Sequence, residues 1–346
     1  MALTSLLSIL LYQYLFVSVV LGYQIDESCS RKGIEADVRD AMTSAFEMVD
    51  AALARITPAV KDQDTLFLIG KLFAGPEKDP NTIELTKTIR VLNRLRDTYR
   101  TEVPRGQAVD TVDIVIYCDT QRYQLIDEVD KIYKDTTNDV EFKFDERLCR
   151  PSNIADLGTR VALAITYNAE YDTGVDVNNE RIYHDRPTQT QLCPWFVDWV
   201  KERKIKLHKD AMKTTIGKTI VKISEKSPFG FAQIDAFSLL DKVLLHEMTH
   251  GRAVFEQRGD EGKVVQHGLK DVPALRGFFS LPGIRWDSYG WKRCKALAHF
   301  GEPLGEERAA DNNADTVALL GSISKLMADP DNPRKVDDKG RIVPLR

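Results

Sequence analysis

His246-Glu247-Met248-Thr249-His250 leaves less freedom to its surroundings than any other stretch of this 346-residue chain. The pattern H-E-x-x-H works only on a helix. Residues four apart stand one above the other, so both imidazoles reach one metal ion while the glutamate lies beside the metal's open position. The flanks predict that helix: Asp235 offers a cap, and Ala236, Leu239, Leu240, Val243 and Leu244 form an apolar stripe at helical spacing. Gly251 follows the second histidine, where a left-handed cap would stop the helix. The alternative is a chance pentad on a core helix, but only six histidines occur in the chain, so coincidence is rare.

With 43% hydrophobic residues the chain can bury a core of one large domain or two smaller ones. A formal charge of -4 and no basic stripe interleaved with aromatics argue against a nucleic-acid partner. The basic run Lys201 to Lys209 reads as a solvated helix end.

Leu3 to Leu21 carries no charged side chain, and Val20 and Gly22 suit the −3 and −1 positions of a cleavage site. Residues 1–22 are therefore expected to be a secretory signal, with a permanent anchor as the alternative because the apolar run approaches a bilayer-spanning length. A secreted, extracellular chain without stable membrane association after cleavage makes Cys29, Cys118, Cys149, Cys193 and Cys294 candidates for disulfides. The odd count leaves one thiol over.

Helical patterns run from Ile34 to Ile56, with Val38, Met42, Phe46, Val49 and Leu53 on one face, from Thr82 to Tyr99, and from Trp195 to Arg203. Val112 to Tyr117, Val140 to Phe144 and Val161 to Tyr167 read as strands. The polar, turn-rich Asp172 to Thr190 is a loop or a β-ribbon. The domain is expected over residues 23–325, followed by a charged, mobile tail over 326–346.

Catalytic zinc keeps three protein ligands and one open position, so the two histidines need a third ligand downstream. The extension H-E-x-x-H-x-x-G-x-x-H is absent. Five segments in order instead resemble the deuterolysin and peptidyl-Lys metalloendopeptidase family, the aspzincins of fungal secreted proteases. They are Ile116-Tyr117-Cys118-Asp119, Leu192-Cys193-Pro194-Trp195-Phe196, the H-E-x-x-H helix, Tyr289-Gly290-Trp291, and Asn313-Ala314-Asp315-Thr316-Val317-Ala318-Leu319.

That resemblance implies an α+β, zincin-like domain with N-terminal helices, a small mixed sheet and an H-E-x-x-H helix. It also implies a family signature G-T-x-D-x-x-Y-G, whose aspartate is the third ligand and whose tyrosine, here Tyr289, stabilises the transition state. Aligned without a break the signature covers Gly283 to Gly290, where Trp286 takes the ligand position and Asp287 stands one residue late. The candidates rank Asp287, then Asp271, then Asp260.

Asp315 is placed by the resemblance in a substrate pocket that receives a basic side chain. Read from the residues alone, Asn313 and Asp315 equally suit a helix cap. The family's habit of tying its first helix to its central strands implies disulfides Cys29–Cys118 and Cys149–Cys193, with Cys294 left over. The expected function is a secreted, monomeric zinc endopeptidase acting on protein or peptide substrates, with His246, His250 and Asp287 as ligands, Glu247 as general base and Tyr289 as oxyanion donor. The rival readings are a zinc-binding or effector-like protein of the same fold that has lost catalysis, and a metal-free module held by disulfides.

Overall fold

The apolar spacing that begins at Ile34 becomes a helix of 22 residues, α2 (Glu35–Ile56), whose Val38, Met42, Phe46, Val49 and Leu53 are all buried. It follows a short helix, α1 (Glu27–Lys32). Asp26 caps α1 at Ser28 N, and Gly33 ends it in the left-handed conformation at φ 74°. The computed structural model describes residues 21–75, 77–144, 149, 162–175, 181–202, 232–237, 240–259, 262–274, 287–301 and 308–345. Most of the expected signal lies outside these residues, as do Asp260 and the basic run beyond Glu202.

Helices α3 (Gln63–Leu72) and α4 (Thr86–Tyr99) precede the run of strands from 114 to 192, α5 (Pro194–Glu202) follows that run, and α6 (Leu240–Thr249) carries the H-E-x-x-H pentad. The chain continues with α7 (Trp291–Phe300) and α8 (Ala314–Met327). Every residue of α6 is buried, because α2 and α8 pack on it and on each other. Gly321 of α8 permits the close approach: a Cβ there would lie 2.8 Å from the Leu245 side chain and 3.2 Å from Met48. A helix buried all round marks the centre of the core rather than a surface stripe.

Beside the helices lies a four-stranded sheet in the order β1 (Tyr23–Ile25), β2 (Ile114–Tyr117), β7 (Arg181–Leu192), β6 (Ala164–Val175). The first three strands run parallel, and β6 runs antiparallel to β7 at the edge. Of the polar Asp172 to Thr190 stretch, residues 172–175 and 181–190 thus belong to a long β-ribbon, one of its two expected forms. A second sheet of β3 (Tyr123–Asp127), β4 (Ile132–Asp135) and β5 (Val140–Lys143) follows β2. Buried Arg122 pins it: its Nε donates to Asp135 at 2.9 Å, and its guanidinium lies 3.5 Å from the centre of the Tyr117 ring. A cation this deep is tolerable because carboxylate, aromatic face and amide oxygens surround it.

Disulfides join Cys29 to Cys118 and Cys149 to Cys193, and Cys294 is a buried free thiol, the pairing implied by the resemblance. Two disulfides fit an oxidising compartment. No helix among the described residues is long and apolar enough to cross a membrane.

The carboxy-terminal stretch departs from the expected mobile tail. Helix α8 runs on to Met327, and Arg334–Val336 and Ile342–Pro344 pair antiparallel as β10 and β11. The intervening β8 (Glu256–Arg258) and β9 (Val264–His267) form a small hairpin of their own. Charged composition hid the terminal hairpin, but Val336 is buried and the Asp337 carboxylate accepts the amides of Lys339 and Arg341 at 2.9 Å each. The Asp338 carbonyl accepts the Trp291 indole N–H at 3.1 Å, which fastens the hairpin to α7.

Candidate metal centre

Helix α6 places His246 and His250 on one face with their Nε2 atoms 3.2 Å apart. The third member of the cluster is Asp271, whose Oδ1 lies 3.2 Å from His246 Nε2 and 3.5 Å from His250 Nε2. A tetrahedral ion held at about 2.0–2.1 Å would set its donors about 3.3 Å from one another, which matches these separations. Asp271 Oδ1 is buried and accepts no hydrogen bond of normal geometry, as an oxygen awaiting a cation would be. His246, His250 and Asp271 can therefore hold a metal ion.

The remaining ring nitrogens are held from behind. His250 Nδ1 lies 2.7 Å from the Leu269 carbonyl, and His246 Nδ1 faces Asp315 Oδ1 at 3.5 Å. A partner on Nδ1 fixes the tautomer that turns the Nε2 lone pair toward a metal.

The electrostatics agree. Burial lowers the pKa of His246, but Asp271 and Asp315 outweigh it and push the imidazole up to about 10. His250 is likewise raised, chiefly by Asp271 against the effect of burial. The same two histidines hold Asp271 well below the usual carboxylate range, despite its burial. The pocket demands positive charge, which a divalent cation supplies in place of protons.

Glu247 is buried beside the cluster, and burial raises its pKa while the two imidazoles pull it back. Thr166 of the edge strand β6 lies beside the carboxylate and also lowers its pKa. Tyr289, 39% exposed, sets its ring 5.5 Å from that of His246, and its hydroxyl faces Asp271. Desolvation and the Asp271 carboxylate keep that phenol protonated far above neutral pH.

Asp287, first among the sequence candidates, is not in the cluster. The segment ending at Tyr289 pairs antiparallel with the one holding Asp271: Pro273 bridges Asp287, and Ser288 N donates to the Val272 carbonyl at 2.7 Å. Continuing that register sets Asp271, not Asp287, opposite Tyr289 on the same face. The carboxylate that faces the histidines thus closes the run Gly268-Leu269-Lys270-Asp271, and Tyr289-Gly290 lies on the segment paired with it. The spacing of Gly268 to Asp271 was the signal that an unbroken alignment passed over. Gly268 has φ 64° and a Cβ there would lie 2.0 Å from the His250 carbonyl oxygen, so only glycine fits.

Asp315 also departs from expectation. It is 5% exposed, and its oxygens are taken by Lys242 Nζ at 3.0 Å, Gly290 N at 2.6 Å and the longer contact to His246. The chain's own lysine stands where the resemblance put a substrate's basic side chain. Burial alone would discharge Lys242, yet Asp315 and Asp235 keep it protonated.

Two smaller expectations fail as well. Asp235 does not cap α6; its carboxylate accepts Ala232 N and Trp291 N, both at 2.7 Å, and so starts α7. Gly251 does not adopt the left-handed conformation, and is small because a Cβ would lie 2.2 Å from the Tyr99 hydroxyl. The chain matches no family model, no curated protein and no solved structure, so the reading rests on the site's own geometry.

Proposed function

We propose that this chain is a secreted zinc-dependent endopeptidase of zincin-like architecture. The observation that carries the reading is the meeting, at one point, of a His-His-Asp donor set, a buried carboxylate and a tyrosine hydroxyl, drawn from α6 and from the paired segments around Asp271 and Tyr289. Two imidazoles and one carboxylate suit zinc, and three ligands leave a fourth position open. When bound, zinc supplies Lewis acidity, polarising a scissile carbonyl and lowering the pKa of a water from 15.7 toward about 7.

Glu247 would take a proton from the attacking water and return it to the leaving amine. Its raised pKa suits both transfers, because a base poised nearer neutrality can also act as the acid. The Tyr289 hydroxyl, kept protonated, donates to the oxyanion that develops on the carbonyl. Strand β6 is a sheet edge and its Thr166 touches Glu247, so an extended peptide laid along that edge passes the base. The disulfides support an extracellular setting.

Elemental analysis of the purified chain should find about one zinc per molecule. Cleavage of an unfolded protein substrate should stop on chelation and return on adding zinc. A chain that takes up no zinc, or a peptidase unaffected by chelation, overturns the proposal.

A further inference from the structure

The two expected roles of Asn313 and Asp315, helix cap and substrate pocket, leave unexplained why so many bonds from the metal site converge on one turn. Helix α8 begins at Ala314, yet Asn313 makes no side-chain cap to the helix amides. Its Oδ1 instead accepts Val272 N at 3.1 Å, the residue next to Asp271, and its Nδ2 donates to the Ser288 carbonyl at 3.0 Å, next to Tyr289. On the other side of Asp271, Lys270 N donates to the Asn312 carbonyl at 2.9 Å and the Lys270 carbonyl accepts Ala314 N at 3.0 Å. Asp315 then reaches Gly290 N at 2.6 Å with one oxygen and faces His246 Nδ1 at 3.5 Å with the other.

We infer that Asn313 and Asp315 are positioning residues that set the geometry of the whole metal site from a single turn. This rests on the reading of His246, His250 and Asp271 as metal ligands. The third ligand and the tyrosine stand on two separate segments. The Asp271 segment meets the end of α6 through Leu269, whose N donates to the Thr249 carbonyl at 2.8 Å and whose carbonyl lies 2.7 Å from His250 Nδ1, but fixing ligand, tyrosine and His246 together takes an element that touches all three. The 312–315 turn bonds to the Asp271 segment and to the Tyr289 segment and faces His246. Lys242, on the same helix as His246, completes the arrangement by holding Asp315 at 3.0 Å, so that its carboxylate stays charged and aimed. A loosened Asp315 would let the His246 ring turn and release the Gly290 amide, and hence Tyr289, together.

The test uses the full chain loaded with zinc or with cobalt as a coloured substitute. Asp315→Asn keeps the shape and removes the charge, while Asn313→Ala removes the bonds beside Asp271 and Tyr289. Both should weaken zinc binding, measured by chelator competition, by about 10–100-fold, and both should shift the visible bands of the cobalt form. In both, kcat should fall more than KM rises. Leu326→Ala, a core truncation farther along α8, controls for general loosening: it should lower the melting temperature yet leave zinc affinity within about twofold of wild type.

If both variants fold and keep the wild-type affinity and cobalt spectrum, the inference is overturned. The same holds if Leu326→Ala weakens zinc as much as they do. Should Asp315→Asn fail to fold, Asn313→Ala decides on the same two readings. A wild-type chain that takes up no metal removes the premise and the inference with it, and is recognised before any variant is made.

Discussion

Two carboxylates sixteen positions apart divide the labour at the level of single side chains: Asp271 faces the histidines and Asp287 bridges Pro273 beyond them. Asp271→Ala should therefore abolish stoichiometric zinc, and Asp287→Ala should keep it, as equilibrium dialysis would show. Loss of zinc in Asp287→Ala alone would return the ligand to its sequence-ranked place. Glu247→Gln removes a base but no ligand, so zinc should stay while kcat falls by about 10²–10⁴-fold. Activity within a few-fold of wild type would show that another group takes the proton.

Acidity enters with a definite sign. In the metal-free chain, the His246 pKa is raised to about 10, so the stabilisation its protonated form contributes is present below the unfolded value of about 6.5 and is lost as pH rises toward 10. On the proposed reading zinc would take the place of those protons. The melting-temperature gain on adding zinc should grow from pH 6 to pH 9, and a gain that shrinks over that range would contradict the site as drawn. Burial and the nearby Asp315 push the Cys294 thiol far up, so a thiol reagent should label it only after unfolding.

At the scale of helices and strands, the Asn168 side chain helps keep the end of α6 in register with the sheet. Asn168 of β6 donates to the His250 carbonyl at 3.0 Å and accepts Arg252 N at 2.9 Å, just where Gly251 lets Tyr99 approach. Gly251→Ala should destabilise the fold by roughly 1–3 kcal/mol through overpacking. Tyr99→Phe, by removing the hydroxyl it strikes, should offset part of that cost. A double-mutant cycle in urea with no coupling would mean that the helix end relaxes some other way.

Elements whose pattern is local were legible in the sequence. The 3.6-residue spacing of Val38 to Leu53 gave α2, and the pentad itself required α6. What was not legible depends on contacts between distant segments. Which carboxylate meets the histidines depends on how the segments around Asp271 and Tyr289 come together, which a linear reading does not contain. Asp315 looked like a cap or a pocket because Lys242, 73 positions away, cannot be seen beside it in one dimension. The terminal hairpin was masked by its charges, since Val336 is its one fully buried apolar side chain.

For the molecule as a whole, the covalent cross-links fall on one side only. Cys29–Cys118 and Cys149–Cys193 close loops of 89 and 44 residues, each worth about 4–5 kcal/mol in a chain-entropy account. Beyond Cys193 the only cysteine is the free Cys294, so no disulfide joins residues 240–345 to one another. A zinc ion tying His246 and His250 to Asp271 would be the missing staple. At a free concentration a hundredfold above its dissociation constant it would add about 2.7 kcal/mol. Reduction and chelation should thus loosen opposite ends of one chain. In hydrogen exchange, a reductant should speed the amides of β1, β2 and α1, and a chelator those of α6 and the strand pair around Asp271. Identical exchange maps under the two treatments would mean that the protein opens as a single unit, with the disulfides and the proposed metal securing the same event.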